Sequence, residues 1–135
     1  MSGIVVVSHS RQLAEAAVAL VAGLMPSLDV NVQVAAGTPD GGLGTDPTAV
    51  MAGIEAADDS EGVLLLADVG SGIMSAQMAV ELIDSELTER TVVSPAPLVE
   101  GLLAAYAAAG TGCPFDQVCE RAANAAADKR CQVEG

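Results

Sequence analysis

The feature that most constrains the fold is an uninterrupted apolar run at residues 62–67, Gly-Val-Leu-Leu-Leu-Ala. A strand with one face in solvent alternates apolar and polar residues, whereas this run has no polar position. Such a run is typical of a central parallel strand that is covered on both faces. It therefore predicts a sheet with helices packed on each side.

Strand patterns alternate with helical patterns along the whole chain. Predicted strands cover residues 4–8, 30–35, 62–67 and 91–94, and predicted helices cover 11–25, 47–57, 74–87, 98–109 and 116–127. The second strand alternates apolar and polar residues, as expected at a sheet edge. Because such alternation requires right-handed crossovers, we expect a single α/β domain: an open parallel four-stranded sheet with helices on both faces. If strand one neighbours strand three and strand two lies outside it, the order is 2-1-3-4. Residues 128–135 are polar and are expected to be a frayed tail.

The charge of the chain excludes two classes of partner. Its 18 acidic residues outnumber five Lys and Arg, which gives a formal net charge of −13. Neutralising phosphates requires clustered cations, so we expect neither nucleic-acid binding nor direct binding to anionic membranes. No apolar run approaches the ~18 residues of a membrane span. The first residues enter a strand without a signal-peptide pattern, and we therefore expect a cytoplasmic protein.

Metal and nucleotide motifs are missing from the sequence. Three cysteines, Cys113, Cys119 and Cys131, form no Cys-x-x-Cys pair and have no histidine nearby. Neither a Gly-x-x-x-x-Gly-Lys-Ser/Thr loop nor Gly-x-Gly-x-x-Gly occurs. We expect ordinary thiols, no metal and no bound cofactor.

Candidate catalytic residues follow the first and third strands. His9, the only histidine, lies between a strand and a helix, and Asp68 ends the most apolar strand. Ligands of open α/β sheets bind where the strand order reverses, and this edge is such a position. A carboxylate bonded to one ring nitrogen fixes the tautomer and leaves the other nitrogen free to attack phosphorus. The alternatives are a turn histidine and a loop or N-cap aspartate bonded to nearby backbone.

Small residues near these two side chains are candidates for binding phosphate. Gly70 and Ser71 follow Asp68, while Gly37 and Thr38 begin a long loop over residues 36–47 with four glycines and two prolines. Glycines allow close backbone approach, and amides and hydroxyls donate to phosphate oxygens. Ser10 either caps the first helix or contacts the phosphoryl group, and capping is favoured. Ser71 does not fit the Gly-x-Ser-x-Gly pattern of a hydrolase nucleophile.

Five segments together carry a family resemblance. They are Ile-Val-Val-Val-Ser-His-Ser at 4–10, Ala-Ala-Gly at 35–37, Gly-Thr at 44–45, Asp-Val-Gly-Ser at 68–71 and Pro-Leu-Val-Glu-Gly at 97–101. In this order they resemble the phosphocarrier subunit of phosphotransferase-dependent dihydroxyacetone kinase, whose carrier domain is similar to mannose-type enzyme IIA. The resemblance covers nearly the whole chain, with the carrier domain at 1–127. Gly72 stands where alanine is usual.

The resemblance implies a homodimeric phosphotransferase with no cofactor of its own. His9 matches the histidine that accepts phosphate from the phosphocarrier HPr and gives it to ADP held in the nucleotide-binding kinase subunit. Asp68 matches the acidic residue paired with that histidine. Two alternatives stay open: a mannose-type enzyme IIA that passes phosphate to an enzyme IIB sugar permease component, and a regulatory module that senses phosphorylation and passes it nowhere.

Overall fold

The computed structural model describes residues 1–135. Four strands and seven helices follow one another along the chain: β1 Gly3–Ser8, α1 Arg11–Leu24, β2 Val32–Ala36, α2 Pro47–Ala57, β3 Val63–Ala67, α3 Ser71–Leu82, α4 Ser85–Glu89, β4 Thr91–Val93, α5 Leu98–Gly110, α6 Phe115–Ala123 and α7 Ala125–Glu134. None of the helices combines the length and the apolar character needed to cross a lipid bilayer.

The four strands form one parallel sheet in the order β2-β1-β3-β4. This confirms the predicted strand order. In the register of the sheet, Ser8 pairs with Ala36 and Val7 pairs with Ala67. The residues that follow β1, β2 and β3 therefore meet at one edge, which is where the sequence places its candidate site residues.

Helices cover both faces of the sheet, as the continuous apolar run predicts. Alternate residues of β1 enter two separate cores: Ile4 and Val6 pack with α1, α5 and α6, whereas Val5 and Val7 pack with α2 and α3. β3 divides in the same way, and all five of its residues are buried. Because successive strand side chains point to opposite faces, one apolar strand serves both cores.

The third predicted helix is wrong in its bounds. It was expected over 74–87, but α3 begins at Ser71 and ends at Leu82, and α4 is separate. The early start depends on Gly70, whose φ of 48° is a left-handed conformation that glycine adopts without steric cost. At the other end the Thr88 hydroxyl donates to the carbonyl of Val80, 2.7 Å away, and so satisfies a group of the last turn of α3.

The frayed tail expected after residue 127 is also wrong. The helix is interrupted at Asn124, and a second helix, α7, continues to Glu134. Ala125 is buried, and Lys129 forms an ion pair with Glu100 of α5. Tertiary contacts with α5 thus hold a helix that polar composition alone does not predict.

Candidate functional site

The segment from β1 to α1 places His9 at the carboxyl edge of the sheet. Ser8, the last residue of β1, is fully buried, and its Oγ accepts a hydrogen bond from the N–H of Ser10. Ser10 is the N-cap of α1, and its Oγ accepts from the N–H of Leu13 at 3.2 Å. This is the capping role that the sequence favoured for Ser10. Both serines fix the backbone on either side of His9.

Asp68 lies directly against His9. The Nδ1 atom of the imidazole is 3.0 Å from Oδ1 and 3.1 Å from Oδ2 of the carboxylate. Oδ2 also accepts from the hydroxyl of Ser8 and from the N–H of His9, each at 2.9 Å, and Oδ1 accepts from the N–H of Val69 at 2.7 Å. The carboxylate predicted to partner the imidazole is therefore held by donors from the end of β1, from His9 and from the loop that follows β3.

These donors decide the charge of Asp68. Burial opposes ionisation of the carboxyl group, but the backbone N–H groups of His9 and Val69, with the Ser8 hydroxyl and the His9 ring, together hold its pKa below the ordinary value. An ionised carboxylate only accepts hydrogen bonds, so the proton of the neutral imidazole lies on Nδ1. The lone pair of the ring is then on Nε2.

The Nε2 atom faces the first turn of α3. The Oγ of Ser71 lies 2.6 Å from it, and the Ser71 hydroxyl donates to the lone pair. The N–H groups of Gly70 and Ser71 donate to no atom of the chain. They stand at the amino terminus of a 12-residue helix, where unpaired amides and the helix dipole favour an anion. The His9 side chain is 29% exposed, and its contact with Ser71 lies at the surface.

Gly72 allows the carboxylate to approach α3. A Cβ built on Gly72 would lie 2.7 Å from Oδ1 of Asp68. That distance is shorter than a van der Waals contact, so an alanine here would require the carboxylate to shift. The glycine that departs from the family pattern is thus part of how this chain holds Asp68.

Gly37 and Thr38 reach the same edge but have their donors engaged elsewhere. The N–H of Gly37 donates to the carbonyl of Ser8, and the N–H of Thr38 donates to that of Gly42. The Thr38 hydroxyl donates to Asp40. Gly37 is thereby bonded to the end of β1, whereas Thr38 is bonded within its own loop, and the N–H groups of both residues and the Thr38 hydroxyl are engaged within the chain.

Two residues of the same loop contact the site, although sequence reasoning gave them no role. The N–H of Gly44 donates to the carbonyl of His9 at 2.9 Å. The Thr45 hydroxyl lies 3.3 Å from the carbonyl oxygen of Ser71 and 2.7 Å from the Oγ of Ser75. The available signal was the Gly-Thr pair at 44–45 itself, which is one of the five segments that carry the family resemblance.

The site as a whole has the elements of an activated nucleophile. A carboxylate orients one nitrogen of an imidazole and stabilises positive charge on the ring, and the other nitrogen faces solvent beside unpaired amides. Glu100 accepts a hydrogen bond from Lys129 of α7 and makes none to His9, Asp68 or Ser71.

A family model covers most of the chain. The model of EIIA-man, described as the PTS system fructose IIA component, matches residues 3–119. The chain therefore belongs to the EIIA-man family, as the sequence motifs indicated. A crystal structure of a protein of unknown function, EF1359, is similar in fold, with a TM-score of 0.83, 29% identity and coverage of 91% of this chain and 93% of that one.

Within the family, the similar curated relatives are phosphoryl donor subunits named DhaM. The chain is 41% identical to that of a PEP-dependent dihydroxyacetone kinase from Pantoea ananatis, over 98% of this chain and 28% of that protein. It is 38% identical to a shorter one from Listeria innocua, over 78% of this chain and 83% of that protein. The chain thus spans about 28% of the length of the first relative and most of the second.

Proposed function

We propose that this chain is the phosphohistidine carrier of a PEP-dependent dihydroxyacetone kinase. His9 accepts a phosphoryl group from HPr and delivers it to ADP bound in the nucleotide-binding subunit of that kinase, in the cytoplasm. The observation that carries the proposal is the 3.0 Å contact between Nδ1 of His9 and Asp68, which leaves Nε2 as the nucleophile. The names of the similar curated relatives supply the class of acceptor.

In the first step the lone pair of Nε2 forms a bond to phosphorus. The N–P bond of the donor phosphohistidine breaks, and the donor ring keeps its electron pair. The proton on Nδ1 of His9 stays in place, so the ring becomes cationic and the adjacent carboxylate of Asp68 stabilises it. In this proposal the hydroxyl of Ser71, 2.6 Å from Nε2, and the N–H groups of Gly70 and Ser71 donate to the phosphoryl oxygens.

In the second step the phosphoryl group leaves His9. An oxygen of the terminal phosphate of ADP bonds to phosphorus, the Nε2–P bond breaks, and the electron pair returns to Nε2. The carrier ends in its starting state, and in this proposal the nucleotide is held by the kinase subunit. Positioning by the two partner proteins supplies the alignment for each transfer.

The proposal is tested by incubating the chain with enzyme I, HPr and phosphoenolpyruvate. We expect acid-labile phosphate on the chain, and none on His9→Ala. Since the chain has one histidine, a phosphohistidine signal has one source. A chain that gains no phosphate, or a His9→Ala variant that still gains it, refutes the proposal.

The acceptor is tested separately with the phosphorylated chain. Loss of phosphate to an ADP-loaded kinase subunit, with formation of ATP, supports the proposed acceptor. Transfer only to an enzyme IIB identifies a sugar-transport component. Phosphate that stays on His9 in the presence of both acceptors identifies a regulatory module.

We also propose that the carrier is a homodimer. Exposed apolar side chains on α1 and α5 support this: Leu20 is 51% exposed, Leu24 61%, Val99 41% and Leu103 40%. Apolar patches on soluble proteins commonly mark interaction surfaces. Sedimentation analysis tests the association, and a monomer at all accessible concentrations would contradict it.

A further inference from the structure

The loop over residues 36–47 contacts both His9 and Ser71. Gly44 donates its N–H to the carbonyl of His9, and the adjacent Thr45 places its hydroxyl 3.3 Å from the carbonyl of Ser71. The same hydroxyl is 2.7 Å from the Oγ of Ser75, which is 8% exposed. Gly44 and Thr45 thus link the backbone of His9 to the first turn of α3.

One proton arrangement satisfies these contacts. If Ser75 donates to Thr45, the Thr45 hydroxyl is free to donate to the carbonyl of Ser71. The Ser71 hydroxyl then donates to Nε2 of His9. The hydrogen bonds therefore run from Ser75 to Thr45 and from Thr45 to the backbone of Ser71, whose hydroxyl contacts the ring.

The first turn of α3 has no side-chain cap of its own. The helices α1 and α2 begin with N-caps, Ser10 and Asp46, whose side chains accept backbone hydrogen bonds. The residue before α3 is Gly70, which has no side chain to cap the helix. Thr45, fixed by the neighbouring cap of α2, supplies a bond from outside the helix.

We propose that Thr45 is the positioning residue that holds Ser71 against Nε2 of His9. Resting on the proposed function, in which Nε2 accepts the phosphoryl group, this gives Thr45 two effects. In the resting carrier it keeps the nucleophilic lone pair covered by the Ser71 hydroxyl. When a phosphoryl group arrives, it keeps that hydroxyl within reach of a phosphoryl oxygen.

The test measures the reaction of diethyl pyrocarbonate with His9, which requires a free ring lone pair and no phosphoryl donor. Thr45→Ala and Thr45→Ser form a matched pair, since both lack the methyl group and only the second keeps the hydroxyl. Thr48→Val is a further control, because Thr48 is exposed in the first turn of α2 and its side chain makes no hydrogen bond. We expect Thr45→Ala to react roughly threefold faster or more, the size of effect that loss of one hydrogen bond gives.

The control variants should react at the rate of the unmodified chain. Ser71→Ala should also react faster, and adding Thr45→Ala to it should change nothing further, because Thr45 acts through Ser71. An unchanged rate in Thr45→Ala or Ser71→Ala overturns the proposal, as does an equal acceleration by Thr45→Ala in both backgrounds. Should Thr45→Ala fail to fold by circular dichroism, Thr45→Val keeps the volume and gives the same test.

The ¹⁵N resonance of Nε2 provides a second readout. We expect Thr45→Ala and Ser71→Ala to move it toward the value of an imidazole without a hydrogen bond, and Thr45→Ser to leave it unchanged. Both measurements are made on the unphosphorylated chain. If HPr fails to phosphorylate His9 while these results hold, the proposed function fails and the role of Thr45 stands.

Discussion

The substitution Asp68→Asn separates the electrostatic role of Asp68 from its size. The two oxygens of the carboxylate accept from two backbone N–H groups, those of His9 at 2.9 Å and Val69 at 2.7 Å. An asparagine must turn its NH₂ group toward one of them, which places two donors together. It also removes the negative charge beside the ring. We expect slower phosphoryl transfer with the fold retained.

The magnitude follows from the separation of the charges. With charge centres about 4 Å apart and an effective dielectric constant of about 20, carboxylate and imidazolium attract by about 4 kcal/mol. The side chains of His9 and Asp68 are 29% and 15% exposed, so solvent reduces this interaction; taking half leaves about 2 kcal/mol. Since about 1.4 kcal/mol is tenfold, an interaction of about 2 to 4 kcal/mol predicts that phosphorylation slows by roughly 30-fold to 700-fold.

A single-turnover assay measures this rate. Phosphorylated HPr is mixed with excess carrier, and the appearance of phosphohistidine on the carrier is followed in time. Asp84→Asn is the matched control, because Asp84 carries the same charge and makes no capping hydrogen bond. NMR of the single imidazole reports whether the proton has moved from Nδ1 to Nε2, which would add to the loss.

Two results would refute this reasoning. Asp68→Asn transferring at a rate within about threefold of the unmodified chain, equivalent to less than about 1 kcal/mol, would show that the carboxylate does not stabilise the ring. Asp84→Asn slowing transfer as much as Asp68→Asn would show that net charge, and not the local contact, controls the rate.

Three further predictions concern stability. Ser10→Ala should lower the free energy of unfolding by about 1 kcal/mol through loss of the α1 cap and still accept phosphate; denaturant midpoints test the first part, and loss of phosphorylation in a folded variant would contradict the second. The pKa of Asp68 is lower in the folded chain than its ordinary value of 3.8, so the unfolded chain binds more protons, and stability should fall as the pH drops from above 3.8 toward the folded pKa. Thermal melts of Asp68→Asn should lack this contribution. Curves of stability against pH that run parallel for the two chains would disprove it. Arg90→Gln should cost about 1–3 kcal/mol, because it leaves the carboxylate of Asp58, 2.7 Å from Nη2 and 18% exposed, without its cation; unchanged urea unfolding would show that this pair contributes nothing.

Sequence patterns that are compatible with only one local structure predicted their helices and strands well. The apolar run at 62–67 requires cover on both faces, and Asp46-Pro47 predicted the start of α2 at Pro47. Patterns that are compatible with either a loop or a helix led to wrong predictions. The glycines at 70 and 72 suggested a loop, whereas Gly70 turns the chain directly into α3, and the polar residues after 127 suggested a frayed tail where contacts with α5 keep a helix.

The sequence by itself determined that the sheet is parallel and that His9 and Asp68 follow strands whose ends lie at the same edge. Parallel crossovers carry the ends of β1 and β3 to one edge, and a carboxylate at the end of a buried strand requires a partner. Only the tertiary structure decided which small residues meet Nε2, because hydroxyl and amide donors act over about 3 Å and spacing along a loop does not fix such distances. In the folded chain the Ser71 hydroxyl contacts Nε2 of His9, the Thr38 hydroxyl bonds Asp40 of its own loop, and the Thr45 hydroxyl bonds the Ser71 carbonyl in α3.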